Sequence, residues 1–79
     1  MINKNTVFDL ALPQNVEAEK AILGCILLDN RVLPQATTLL ESDDFFLDSH
    51  KRIYRKMRML AQSDRSIDPI SLQDALKSS

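Results

Sequence analysis

The residues that could carry catalysis or bind metal are few and scattered. The chain has one cysteine, Cys25, and one histidine, His50. A nucleophilic thiol needs a nearby base and a partly exposed, electropositive setting. Cys25 lies in the most apolar stretch of the chain, which predicts a buried core thiol. His50 has no evident partner and is predicted to be packed or solvent-facing rather than catalytic.

Three further types of site can be assessed from residue counts and spacing. With one cysteine and one histidine, a Cys/His zinc cluster is excluded. The adjacent Asp43 and Asp44 project in different directions and lack calcium-loop spacing, so they are predicted to serve a turn and the helix dipole. A single glycine excludes both G-x-x-x-x-G-K-[ST] and G-x-G-x-x-G loops. The sequence therefore predicts no enzyme active site, metal or cofactor in this chain.

A run of five cations within residues 51–58 is the feature with a functional alternative. Ten basic and eleven acidic residues give a net charge of -1, and an acidic stretch precedes the run. This favours a solvated or protein-contacting face, with DNA phosphates as the alternative and a membrane surface third. Of the two adjacent phenylalanines before the run, at least one is expected in the core and the other is an interface candidate. The predicted interface comprises Phe45, Phe46, Lys51, Arg52, Arg55, Lys56 and Arg58.

Hydrophobic spacing and capping residues predict an all-α chain, a small bundle of about four helices. Asn15 is the predicted cap of the first helix. From Ala21 to Leu28 this helix is apolar on nearly every side, which is typical of a buried helix. We therefore expect it to be the central helix of the bundle, with Gly24 placed where a neighbouring backbone comes close.

The next two helices are predicted from proline and aspartate positions. Pro34 belongs in a first turn, so the second helix starts near Asn30 or at Leu33, and the sequence leaves both starts open. Asp48 or Ser49 is the predicted cap of the third helix, whose apolar residues follow helical spacing.

The fourth helix has the clearest start, with Asp68 as cap and Pro69 in the first helical position. It is expected to be cut short at the end of the sequence. Residues 1–12 are predicted to be a flexible arm and residues 13–79 a helical head. No signal peptide or apolar run of membrane-spanning length is present, which together with the lone cysteine predicts a cytoplasmic location.

Three segments, in this order, resemble the N-terminal domain of DnaB-type replicative DNA helicases. Leu12–Asp29 contains the Pro, Asn, Glu-Ala-Glu and Leu-Gly elements of the family's opening. Asp44–Leu60 resembles its Asp-Phe-aromatic turn followed by a His-led helix, with Phe46 where many relatives have tyrosine. Ile67–Leu76 resembles the third element.

The resemblance implies a helical N-terminal head. In the family this head is followed by a helical hairpin, a linker and a RecA-like motor that hydrolyses ATP with Mg, and the parent is a homohexamer that unwinds duplex DNA at the replication fork. Its N-terminal tier pairs subunits and helps to recruit primase. For this chain the resemblance implies an assembly and protein-interaction domain without catalysis. The implied partners are other helicase subunits, primase and helicase loader, with single-stranded DNA bound mainly by the motor and no membrane.

Overall fold

The computed structural model describes residues 15–78, which contain four α-helices, one 3₁₀ turn and no strand. The elements are α1 (Val16–Leu28), α2 (Val32–Thr37), the 3₁₀ turn (Ser42–Asp44), α3 (Asp48–Gln62) and α4 (Pro69–Lys77). This confirms the all-α prediction. The predicted arm over residues 1–12 lies outside the described residues, and the expectation that the last helix is cut short stays a prediction.

Two helix starts follow the predicted capping residues. At α1, the side-chain oxygen of Asn15 accepts the Ala18 N–H at 3.1 Å. At α4, the carboxylate of Asp68 accepts the Ser71 N–H at 2.8 Å, and the Ser71 hydroxyl accepts the Asp68 N–H at 3.2 Å. Pro69 occupies the first helical position. These bonds satisfy backbone donors that a helix start otherwise leaves unpaired.

The other two helices start within a residue or two of the predicted positions. α2 begins at Val32, between the two starts that the sequence left open, with Pro34 in its first turn. α3 begins with Asp48 as its first residue, so Leu47, rather than Asp48 or Ser49, is in the cap position. Asp48 still lies in the first turn, where the helix dipole favours a negative charge.

The central helix is α3. It contacts α1, α4 and the 3₁₀ turn, and it buries His50, Tyr54, Met57 and Leu60. The Tyr54 hydroxyl donates a hydrogen bond to the Leu40 carbonyl at 2.9 Å. Burial raises the pKa of Tyr54 to about 12, because the phenolate would lose its hydration there.

The prediction that α1 is the central helix is therefore wrong. Only one side of α1 is buried, with Glu19, Leu23 and Ile26 at helical spacing. Cys25 is exposed, so the predicted buried thiol is also wrong. Leu28 is 90% exposed. A domain this small has too few elements to surround more than one helix, and the surrounded helix here is α3.

The space beside Gly24 is open. A Cβ atom placed on Gly24 would meet nothing within 4 Å. The close backbone approach expected at this glycine is therefore absent within residues 15–78.

Asn30 joins the end of α1 to the start of α4. Its amide nitrogen donates to the carbonyls of Ile26 and Ile67, each at 2.9 Å. Its side-chain oxygen accepts the Ile67 N–H at 2.9 Å. Since Ile67 itself is buried in the core, these bonds fix the segment between α3 and α4 against α1.

α3 ends in a Schellman motif. Asp64 has a φ of 57°, in the left-handed region. The Arg65 N–H donates to the Leu60 carbonyl at 2.9 Å, and the Asp64 N–H donates to the Ala61 carbonyl at 3.1 Å. These two bonds satisfy carbonyls that the helix end leaves without intrahelical partners.

Candidate interaction site

The turn between the acidic stretch and α3 places two phenylalanines in opposite environments. Phe45 is 1% exposed; its ring centroid lies 4.9 Å from that of Tyr54, and its ring is nearly perpendicular to that of His50. Its inclusion in the predicted interface is therefore wrong, because a buried ring cannot anchor a partner. Phe46 is 54% exposed. Of the two aromatic residues, only Phe46 is on the surface.

A buried pair of hydrogen bonds to one side chain fixes this turn. Glu19, on α1, has no exposed surface, and its Oε1 lies 2.8 Å from Nδ1 of His50 at the start of α3. Its Oε2 accepts the Phe46 N–H at 2.7 Å. Each carboxylate oxygen therefore has a partner, as burial of a carboxylate requires. The backbone that presents the Phe46 ring is held by both α1 and α3.

The sequence contained a signal for this contact that the interpretation missed. Glu19 precedes Leu23 and Ile26 by four and seven positions, so all three lie on one face of α1. His50 starts the corresponding apolar face of α3. An acid and a histidine on the core-facing sides of two helices predict a buried pair.

The Glu19–His50 pair is structural rather than catalytic. A carboxylate that orients an imidazole can serve a general base, but that role requires a ring accessible to substrate. The carboxylate here is fully buried and the His50 ring nearly so. His50 is therefore packed, which is one of the two alternatives that the sequence left open. It also has a partner, Glu19, that the sequence interpretation did not identify.

Two arginines of α3, Arg55 and Arg58, form ion pairs with acidic residues in the segment that precedes the helix. Arg55 Nη2 lies 3.0 Å from Oδ1 of Asp43, and Arg58 Nη1 lies 3.2 Å from Oε2 of Glu41. The 3₁₀ turn positions these carboxylates, since Asp44 accepts the backbone N–H of Glu41 at 2.8 Å. The adjacent aspartates thus serve the turn and pair with α3, which agrees with their predicted structural role.

The remaining cations differ in their contacts. Lys51 lies 3.9 Å from Asp48, and the Arg52 guanidinium donates to the Leu76 carbonyl on α4. Lys56 forms no ion pair with another described residue. The predicted basic face is therefore a mixed surface of alternating charge. Phosphates would have to displace the existing carboxylates, so the DNA-binding alternative is not favoured.

Two other types of site are absent from the part of the chain that the structure describes. No group of three His, Cys, Asp or Glu side chains there could hold a metal ion. None of its helices has the length and apolar character needed to cross a membrane.

Comparison with known families identifies the domain type. The family model for the DnaB-like helicase N terminal domain matches residues 11–79. The chain belongs to this family. The DnaB-like match spans all four helices, including both capped starts and the Glu19–His50 contact. No solved structure matches the chain significantly.

Several curated relatives of this DnaB-like domain are replicative DNA helicases. Replicative DNA helicase DnaC of Bacillus subtilis (strain 168) is 39% identical over 64 residues, 81% of this chain and 14% of the helicase. Replicative DNA helicase DnaB of Buchnera aphidicola subsp. Baizongia pistaciae is 37% identical over 68 residues, 86% of this chain and 15% of the helicase. The DnaB of Rickettsia bellii is 35% identical over 72 residues, 91% of this chain and 14% of the helicase. The chain thus spans only a small fraction of these relatives.

Proposed function

We propose that this chain is the N-terminal assembly and protein-interaction domain of a replicative DNA helicase. The observation that carries the proposal is the family match over residues 11–79, supported by relatives named replicative DNA helicases. In this role the domain contacts other helicase subunits, primase and helicase loader in the cytoplasm. It performs no catalysis, and ATP and Mg act in the motor of a hexameric parent.

The surface proposed for primase or loader consists of Phe46 and the outer side of α3. Aromatic and arginine side chains are enriched where proteins bind one another. Phe46 is exposed on a backbone that Glu19 fixes, so little backbone conformational entropy is lost when its ring is covered. The alternating charges beside it suit a protein surface of mixed charge. The cations in this proposed surface are Lys51, Arg52, Arg55, Lys56 and Arg58.

Binding of the chain to purified primase, loader and full-length replicative helicase of the same cell tests the proposal. Phe46→Ala is expected to weaken primase or loader binding at least about tenfold. Ile70→Ala is the matched control, because Ile70 is also an exposed large apolar residue but lies on α4. The control variant should bind like the unmodified chain.

Two results would contradict the proposal. The first is that none of the three proteins binds the chain at all. The second is that the chain binds single-stranded DNA with an affinity that falls steeply with added salt and is lost on charge reversal of Arg52 and Lys56, which would establish the DNA-binding alternative.

A further inference from the structure

The second nitrogen of the His50 ring reaches the surface of the domain. Nδ1 is bonded to the buried carboxylate of Glu19, whereas Nε2 makes no hydrogen bond with another described residue. Within residues 15–78, no side-chain nitrogen or oxygen is buried without a partner, so Nε2 is in contact with solvent. His50 as a whole is only 7% exposed. A largely buried ring therefore presents one polar atom at the surface.

The Glu19 carboxylate determines which ring nitrogen carries the hydrogen. An ionised carboxylate only accepts hydrogen bonds, and its Oε1 lies 2.8 Å from Nδ1 of His50, so Nδ1 is the donor. In the neutral imidazole, Nε2 then has a free lone pair. The direction of this lone pair is fixed, because the ring is held by Glu19 and lies nearly perpendicular to the ring of Phe45. Nε2 is thus a surface hydrogen-bond acceptor with a defined orientation.

We propose that Nε2 of His50 accepts a hydrogen bond from a hydroxyl or amide N–H group of the partner protein that covers Phe46. This inference rests on the function proposed above and adds one specificity-determining atom to its contact surface. The Phe46 N–H and His50 Nδ1 are bonded to the two oxygens of one carboxylate. The exposed Phe46 ring and Nε2 therefore belong to the same fixed part of the domain.

The two groups have different roles in recognition. The Phe46 ring supplies apolar contact area, which many partner surfaces could match. A fixed acceptor is more selective, because covering it with a group that cannot donate leaves it without a hydrogen bond. Since Glu19 already holds the His50 ring in place, little ordering is needed when the partner binds.

Protonation of His50 would remove this acceptor. An imidazolium carries hydrogen on both nitrogens and accepts no hydrogen bond, and histidine changes charge near neutral pH. Glu19 on α1 is the described residue that pairs with the ring. The other titratable groups on the neighbouring elements, none of which bonds to the ring, are Asp44 in the 3₁₀ turn, Asp48, Lys51 and Tyr54 on α3, and Asp74 and Lys77 on α4. Tyr54, with a pKa of about 12, stays neutral throughout. Partner binding should therefore weaken as the pH falls.

Two substitutions of His50 separate the roles of its two nitrogens. In His50→Asn, the amide nitrogen lies as many bonds from Cα as Nδ1 does, so it can still donate to Glu19, while nothing replaces Nε2. In His50→Gln, the amide group lies one bond further out, so it keeps a surface acceptor but loses the donor to Glu19. We expect His50→Asn to stay folded and to weaken partner binding at least about fivefold. His50→Gln should be less stable and, where folded, bind within about twofold of the unmodified chain.

Calorimetric titration of primase, loader and full-length helicase with the chain, between about pH 6 and 8.5, measures the pH dependence. Lower pH should weaken binding of the unmodified chain several-fold more than binding of His50→Asn. This comparison removes the effect of titrating groups in the partner. Circular dichroism checks that each variant is folded, and His50→Asn decides the matter alone if His50→Gln does not fold.

Nitrogen NMR of the isotope-labelled ring provides a direct measurement, because His50 is the only histidine in the chain. In the free chain at about pH 8 we expect hydrogen on Nδ1 and none on Nε2. Addition of an unlabelled partner should then shift the Nε2 resonance more than the Nδ1 resonance. The same spectra recorded with His50→Gln serve as the blank.

The outcomes separate this inference from the proposed function. Hydrogen on Nε2 in the free chain overturns the inference by itself. Binding of His50→Asn that equals that of the unmodified chain at every pH also overturns it, while the assembly function stays in place. If none of the three proteins binds the chain at any pH, both are overturned. Loss of affinity in His50→Asn, together with loss of the pH dependence, supports recognition through Nε2.

Discussion

Glu19 and His50 are 31 positions apart in the sequence, yet Oε1 of the first lies 2.8 Å from Nδ1 of the second inside the domain. The other carboxylate oxygen holds the backbone of Phe46. One buried side chain thus joins α1, the aromatic turn and α3. Contacts between distant segments of this kind define the tertiary structure of a small helical domain more than any single helix does.

Replacing Glu19 by alanine should strongly destabilise the domain. The change leaves His50 and the Phe46 N–H without their buried partner, and each buried polar group left unsatisfied typically costs about 1–3 kcal/mol. Denaturant unfolding followed by circular dichroism measures the loss. Glu17→Ala, on the same turn of α1 but exposed, is the control and should change stability by less than about 0.5 kcal/mol. Equal losses in the two variants would contradict a structural role for the pair.

Much of the helical architecture could be predicted from local chemistry. Asn15, Asp68 and Pro69 have types that favour helix starts, and they occupy those positions in the structure. A helix start depends mainly on a few neighbouring residues. Pro34 restricted the start of α2 to a short interval, and the observed start at Val32 falls within it.

The wrong predictions concern which residues are buried in the folded domain, because local sequence patterns do not determine how the helices pack against one another. Glu17 and Glu19 are equivalent first-turn acids in sequence, but one is exposed and the other fully buried. Cys25 was expected in the core because its neighbours are apolar. It is exposed because α1 packs on one side only. The choice between Phe45 and Phe46 likewise depended on where the turn meets α1 and α3.

Asn30→Ala should loosen the junction between α1 and α4. The variant loses three hydrogen bonds, to the Ile26 carbonyl and to both backbone groups of Ile67, and the expected loss is about 2 kcal/mol. Thermal unfolding measures the effect. Asn30→Asp keeps an acceptor for the Ile67 N–H but loses both donated bonds, so it should also be destabilised. An unchanged melting temperature in both variants would show that the junction does not need this side chain.

Asp64→Gly should stabilise the domain by about 0.5–1 kcal/mol, because glycine adopts the left-handed conformation without the strain of a Cβ atom. For a domain of this size, that corresponds to an increase of roughly 2–8 °C in melting temperature. Asp64→Ala is the control, since it keeps the Cβ and should give no such gain. A glycine variant that melts below the unmodified chain would contradict the assignment of a strained helix end.

Stability should depend on the charge of Asp68 in acid. Hydrogen bonds from the Ser71 backbone N–H hold the pKa of Asp68 below its usual value of 3.8. Its contribution is therefore present above 3.8 and is lost as the pH falls through the lower, folded-state pKa. Asp68→Asn keeps a capping oxygen but cannot titrate. We expect the unmodified chain to lose stability relative to this variant as acidity increases below 3.8, as measured by urea unfolding at a series of pH values. A constant difference would contradict the linkage.

The backbone and the ring of Phe46 differ in their access to solvent, because the Phe46 amide is hydrogen-bonded to the Glu19 carboxylate while the ring is exposed. The Phe46 ring is in contact with solvent, yet the Phe46 amide hydrogen is bonded to the Glu19 side chain, which is fully buried between α1 and α3. In deuterated water, this amide should therefore exchange as slowly as those in the middle of α3, although it belongs to a connecting segment. The hydrogen-exchange rate of the Phe46 amide would then measure the opening of the whole domain, although the Phe46 ring lies on the surface.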